Sequence, residues 1–128
     1  MTHQNTDHDR RERARFKLKP GTVVLLGRQW PHSTIVGEIL DISTDGVAVQ
    51  YVGDEPAQQE PCELGIASTE RHTYLGRFPA TPVSDFTMAK IPFGSLVPRR
   101  LALRFGPLDP DQTADLENYI KENAVTKV

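Results

Sequence analysis

Two short patterns carry the side chains best suited to chemistry. Arg11 and Arg15 stand four residues apart in a basic stretch; Asp41, Ser43 and Gly46 follow within one six-residue window. Arginine offers a planar fork of donors that fits phosphate oxygens or the O6/N7 edge of guanine, and its flat face stacks on a base. Aspartate fits the other edge of guanine, where N1–H and the 2-amino group donate and one carboxylate can accept from both. A serine hydroxyl serves phosphate or base. A glycine lets the backbone approach a ligand and takes positive φ in a turn. A ligand that joins phosphate to guanine would use every one of these groups. Asp41 and Ser43, two apart, share a side of an extended strand. Arg11 and Arg15 share a side of an extended arm, about 13 Å apart, enough to grip separate ends of a dinucleotide.

These residues need an arm and a hairpin to present them. Ser33–Ile42 reads as a strand with Gly37 as its bulge candidate, Asp45-Gly46 as the hairpin signal, and Val47–Val52 as the returning strand. Upstream, Phe16 and Leu18 alternate with Arg15, Lys17 and Lys19, so the arm is expected to become extended where it meets the body. Pro20-Gly21 marks a turn, and Thr22–Leu26 and Cys62–Ala67 read as strands. Thr73–Phe78 and Thr81–Met88 read as two weaker strands, which Pro79 and Pro82 confine to an edge or a bulge. Arg99–Phe105 alternates Leu101, Leu103 and Phe105 against Arg100, Ala102 and Arg104, a half-buried strand with a wet face. Arg77, Arg99, Arg100 and Arg104 are expected on such wet faces, with room for one of them to line the site. Asp109 and Pro110 suit a helix start, and Leu116, Tyr119, Ile120 and Ala124 mark one helical face.

Composition narrows the class. The chain has 128 residues, enough for one core, with 38% hydrophobic residues, 9 glycines and 10 prolines, which suits a turn-rich β protein. Net charge is −2, yet residues 10–19 carry six basic side chains against Glu12 alone, so an anionic partner should meet the arm. The domain plan is a disordered tail over 1–9, a basic ligand-binding arm over 10–19, and a β-barrel over 20–128 with its helix at 110–123. Cys62 stands alone, and His3, His8, His32 and His72 share no ligand spacing with it, so no disulfide, metal site or cofactor is expected. No apolar run is long enough to span a membrane and no secretory leader precedes the arm, which points to the cytoplasm. The chain has no Cys/His nucleophile pairing and no phosphate-binding glycine loop, so an enzyme is not expected.

Arg11-x-x-x-Arg15 followed by Asp41-x-Ser43-x-x-Gly46 in a β hairpin resembles the PilZ domain family. The resemblance runs from about Arg10 to about Asn123. It implies a six-stranded antiparallel β-barrel with a C-terminal α-helix and a non-catalytic receptor for the bacterial second messenger cyclic di-GMP. By the same resemblance, Arg11 and Arg15 clamp phosphates and guanine, Asp41 reads the guanine edge, Ser43 bonds phosphate or base, and Gly46 shapes the turn. Arg10, just before the motif, goes in that family with a stacked ligand dimer and so implies two ligands per chain. The expected output is a changed surface for an unidentified downstream protein. The competing readings are a ligand-free adaptor of the same fold and a nucleic-acid binder using the basic arm; the acidic body and the lack of an aromatic strip argue against the second.

Overall fold

The computed structural model describes residues 14–27, 35–53, 61–70, 72–88 and 97–128; Arg10, Arg11 and the sequence-predicted tail lie outside them. The elements run β1 (Phe16–Leu18), β2 (Thr22–Gly27), β3 (Ile35–Ile42), β4 (Gly46–Val52), β5 (Cys62–Ser68), β6 (Thr73–Thr87), β7 (Pro98–Phe105), α1 (Pro110–Asn123) and β8 (Ala124–Lys127). Strands pair in the order β2-β5-β6-β7-β4-β3, and β3 pairs back onto β2, which closes a six-stranded antiparallel barrel. Closure leaves those six strands without an open edge. The edge of β3 is shared: Ile35–Glu38 face β2, while Ile42 at its far end pairs with Phe16 of β1.

Alternation builds the core. Val47, Val49 and Tyr51 of β4 point inward beside Leu101, Leu103 and Phe105 of β7. Phe78 meets Phe105 edge-on, with ring centroids 5.8 Å apart. The helix starts with a capping box: the Asp109 carboxylate accepts from Gln112 N–H at 2.7 Å, and the Gln112 side chain accepts from Asp109 N–H at 3.0 Å. Leu116 and Ile120 are its buried contacts with the body, and the helix lies against β1 and β6.

Three local expectations are corrected. Thr73–Phe78 and Thr81–Met88 form one long strand, β6, set inside the wall between β5 and β7 and not at an edge. Proline supplies no ladder donor, and the β6–β7 register slips between Pro82 and Ser84, the bulge that was the other expectation for these prolines. Gly37 is not a bulge. It pairs in regular register with Val24, and the β3–β4 slip falls between Ile39 and Asp41. The helix does not end the chain's regular structure: its cap residue Ala124 turns directly into β8, which pairs with β1. Four residues are too few to show a period, and β8 is a strand because β1 lies beside it.

Candidate functional site

The slip in β3 decides where Asp41 points. Ile39 pairs with Val49 but Asp41 pairs with Ala48, so β3 holds one residue more than β4 across this step. Without that extra residue, Asp41 would share the inward side of Ile39 and Ile42 would face out. With it, Ile42 is fully buried and the Asp41 side chain keeps 13% of its exposure.

Thr44 and Asp45 then make the reversal, between Ser43 and Gly46, which is not the Asp45-Gly46 turn expected. Ser43 N–H donates to the Gly46 carbonyl at 2.9 Å. The Ser43 hydroxyl accepts from Asp45 N–H at 3.1 Å and Gly46 N–H at 3.3 Å, and the residue is only 2% exposed. Ser43 therefore does not accompany Asp41 to the surface; its oxygen is bonded within the turn. Phe105 N–H donates to the Asp45 carbonyl at 2.8 Å, which pins the turn to the end of β7. Gly46 is the first residue of β4, and its φ is not positive; Gly21, at +87°, is the described glycine that has one. What requires glycine at 46 is crowding: a Cβ there would stand 2.3 Å from the Leu103 carbonyl oxygen.

Arg15 comes to Asp41 from the far side of the sequence. Its Nε donates to Asp41 Oδ1 at 2.6 Å, and its Nη2 lies 2.5 Å from the same oxygen. The Arg15 side chain is 41% exposed, so it also faces solvent. Its backbone is fixed, because Val128 N–H donates to the Arg15 carbonyl at 2.8 Å and β1 follows directly. Two of the sequence-predicted site residues thus touch each other, with Ser43 and Gly46 forming the turn next to them. Residues 16–18 form a paired strand, as the alternation of Phe16 and Leu18 with Arg15, Lys17 and Lys19 predicted. The physical reason is that Phe16 and Leu18 pack against the core while β3 and β8 take up the backbone bonds.

A further cation reaches the same carboxylate. Arg100 of β7 places Nη2 3.7 Å from Asp41 Oδ2. Sequence alone offered Arg100 as one of several wet-face arginines; it could not single it out, since β7 and β3 are brought together by β4. Arg99, its neighbour, corrects the wet-face expectation. It is buried, and its Nε donates to Asp85 Oδ1 at 2.7 Å, while Tyr51 O–H donates to Asp85 Oδ2 at 2.5 Å. The hydrogen bond that Arg99 donates to Asp85 raises the Arg99 pKa above its ordinary value, against an opposing desolvation effect. The signal was present in the sequence: Arg99 shares the odd-numbered register of Leu101, Leu103 and Phe105. This triad faces inward, opposite Arg100, and does not join the surface site.

The geometry suits an anionic ligand with a donor edge. Two guanidinium groups converge on one carboxylate at a partly exposed corner, and any phosphate arriving there competes with Asp41 for Arg15. Burial pushes the Cys62 thiol up, and it donates to the Ala80 carbonyl at 3.5 Å, so it is held protonated. Among the described residues no group of three or more His, Cys, Asp or Glu side chains could hold a metal ion. No helix of the described residues is long and apolar enough to cross a membrane.

No family profile and no curated protein matches the sequence. Solved structures do match the fold. The PilZ domain of YcgR from Escherichia coli, a structure with c-di-GMP, aligns at TM-score 0.65 with 19% identity, over 88% of this chain and 90% of that one. The PlzA protein of Borreliella burgdorferi, in complex with c-di-GMP, aligns at TM-score 0.59 with 11% identity over 98% of this chain. MrkH, named as a c-di-GMP-dependent transcription regulatory factor, aligns at TM-score 0.57 with 15% identity over 84% of this chain. This chain spans 59% of the PlzA chain and 48% of the MrkH chain. The barrel with its C-terminal helix is therefore a PilZ-type fold.

Proposed function

We propose that this chain is a non-catalytic cytoplasmic receptor for cyclic di-GMP. The observation that carries the proposal is the meeting of Arg15 with Asp41, 26 residues apart in sequence, at one corner of a PilZ-type barrel. The YcgR and PlzA structures hold c-di-GMP and MrkH is a c-di-GMP-dependent factor, which supports the same ligand class here. On this reading Arg10, Arg11 and Arg15 take the phosphates and stack on guanine, and Asp41 accepts from the guanine N1–H and 2-amino donors. Ser43 and Gly46 hold the turn that presents Asp41.

Binding then exchanges one partner of Arg15 for another. In the free protein its guanidinium rests on Asp41; with ligand it turns to phosphate, and the segment ahead of Ala14 closes over the corner. The altered surface is what a downstream protein would read. Calorimetric titration with cyclic di-GMP, GTP, GMP and a long DNA duplex tests the reading. Saturable heat with cyclic di-GMP and not with GMP or GTP is expected. Salt-sensitive binding of DNA, with no response to the dinucleotide, would replace the receptor by a nucleic-acid binder. No response to any of them leaves the ligand-free adaptor.

A further inference from the structure

Asp41 has two carboxylate oxygens, and the structure gives them different neighbours. Oδ1 takes both contacts from Arg15, while Oδ2 faces Arg100 Nη2 at 3.7 Å, close enough for an ion pair but long for a hydrogen bond. Arg15 lies just ahead of β1, on the arm that the ligand is to engage. Arg100 belongs to β7, paired on both sides within the barrel wall. A ligand that draws Arg15 onto phosphate removes the closest cation from a carboxylate that is mostly buried. An uncompensated buried charge is costly, and a carboxylate without its partner is also free to rotate.

The register explains how Arg100 can take over. Asp41 pairs with Ala48 of β4, and Ala48 pairs with Ala102 of β7, two residues beyond Arg100 on the same outward face. Arg100 must therefore span β4, about 9.5 Å from β7 to β3 at ordinary strand spacing. The outward residue of β4 at that step is Ala48, whose methyl group leaves a path for the long side chain. Its own side chain is 32% exposed, so it has room to close the remaining gap.

We infer that Arg100 is a positioning residue of the site: it orients the Asp41 carboxylate and balances its charge when Arg15 turns to the ligand. This rests on the cyclic di-GMP reading. With Oδ2 held from the β7 side, both oxygens are turned edge-on to guanine, and each retains a lone pair for N1–H or the 2-amino group. Without Arg100, Asp41 would follow Arg15 or turn away, and the 2-amino group would no longer be read. Arg100 thereby determines base specificity without touching the base.

The test titrates the wild type, Arg100→Met and Arg100→Lys with cyclic di-GMP and with cyclic di-IMP, the inosine analogue that lacks the 2-amino group. Losing one hydrogen bond to a charged acceptor should make the wild type favour cyclic di-GMP by about tenfold or more. Arg100→Met should bind cyclic di-GMP about tenfold more weakly and lose most of that preference, whereas Arg100→Lys should regain part of both. Two results overturn the inference: a preference unchanged in Arg100→Met, or both ligands weakened equally with no recovery in Arg100→Lys. If Arg100→Met does not fold, Arg100→Gln decides, since a wild-type preference ratio in that uncharged variant overturns the inference. A wild type that binds neither ligand fails the receptor reading itself, and Arg100 has then no role of this kind.

Discussion

At the scale of single residues, the structure separates side chains that hold the corner from side chains free to serve a ligand. Arg15 and Asp41 form a partly exposed pair, which contributes little to folding, about 0.2–1 kcal/mol. Each is in position to make charge-assisted bonds to a ligand. Arg11→Ala, Arg15→Ala and Asp41→Ala should therefore each weaken cyclic di-GMP binding by about 1.5–3 kcal/mol, read by titration calorimetry. For Asp41→Ala, which leaves two partly exposed arginines and no buried carboxylate, the melting temperature should barely move. Ser43→Ala should behave the other way. It strips the acceptor from two turn N–H groups in a buried residue and should cost about 1–3 kcal/mol of stability in a denaturant melt. If the melt is unaffected and binding is lost, Ser43 is a ligand contact and not a turn residue.

At the scale of elements, the arm is held from behind. β1 has only three residues and could not persist alone, yet β3 pairs with it at Phe16 and β8 pairs along its length. Lys19 N–H donates to the Asn123 carbonyl at 3.0 Å and Val128 N–H to the Arg15 carbonyl, so α1 and β8 fasten both ends of β1. Deleting residues 124–128 should speed amide exchange across Phe16–Leu18 and lower affinity for cyclic di-GMP, because Arg15 would lose its fixed backbone. Exchange that stays slow after the deletion would show that β3 and core packing suffice. Ala14 and Phe16 line a cavity of about 440 Å³ together with Thr44, the helix residues Glu117, Ile120 and Lys121, and Ala124 of β8. β1 thus touches both β3 and the helix.

At the scale of the whole molecule, the described residues of the closed barrel include a costly polar cluster. Asp85 and Arg99 are both buried, with side chains 1% and 8% exposed, and Tyr51 completes the set. Taking one charge away leaves the other buried without its partner, so Asp85→Ala should destabilise by about 3–5 kcal/mol, measured by urea unfolding. A loss below about 1 kcal/mol would mean that water or another group compensates. Because the folded-state pKa of Arg99 is raised, the stability it contributes is present throughout the ordinary pH range and fades only in strong alkali. The cluster spans β4, β6 and β7, the strands on which Arg100 and its neighbours stand, and it braces that wall from inside.

Much of this protein could be read from local pattern. The span Pro110–Asn123 with its cap at Asp109, the hairpin around Asp41–Gly46, the turn at Gly21 and the alternation of β7 all depend on residues near one another in the chain. A capping side chain, a turn residue and a two-residue period act over a few bonds, so the order of residues is enough to fix them. The facing of Asp41, the role of Gly46, the inward turn of Arg99, the strand β8 and the approach of Arg100 to Asp41 were decided by tertiary structure. Each depends on which strand lies beside which, and on a one-residue slip in pairing that turns a carboxylate from core to surface. Strand neighbours are set only when six distant segments close into one barrel, and no local run of residues encodes that closure.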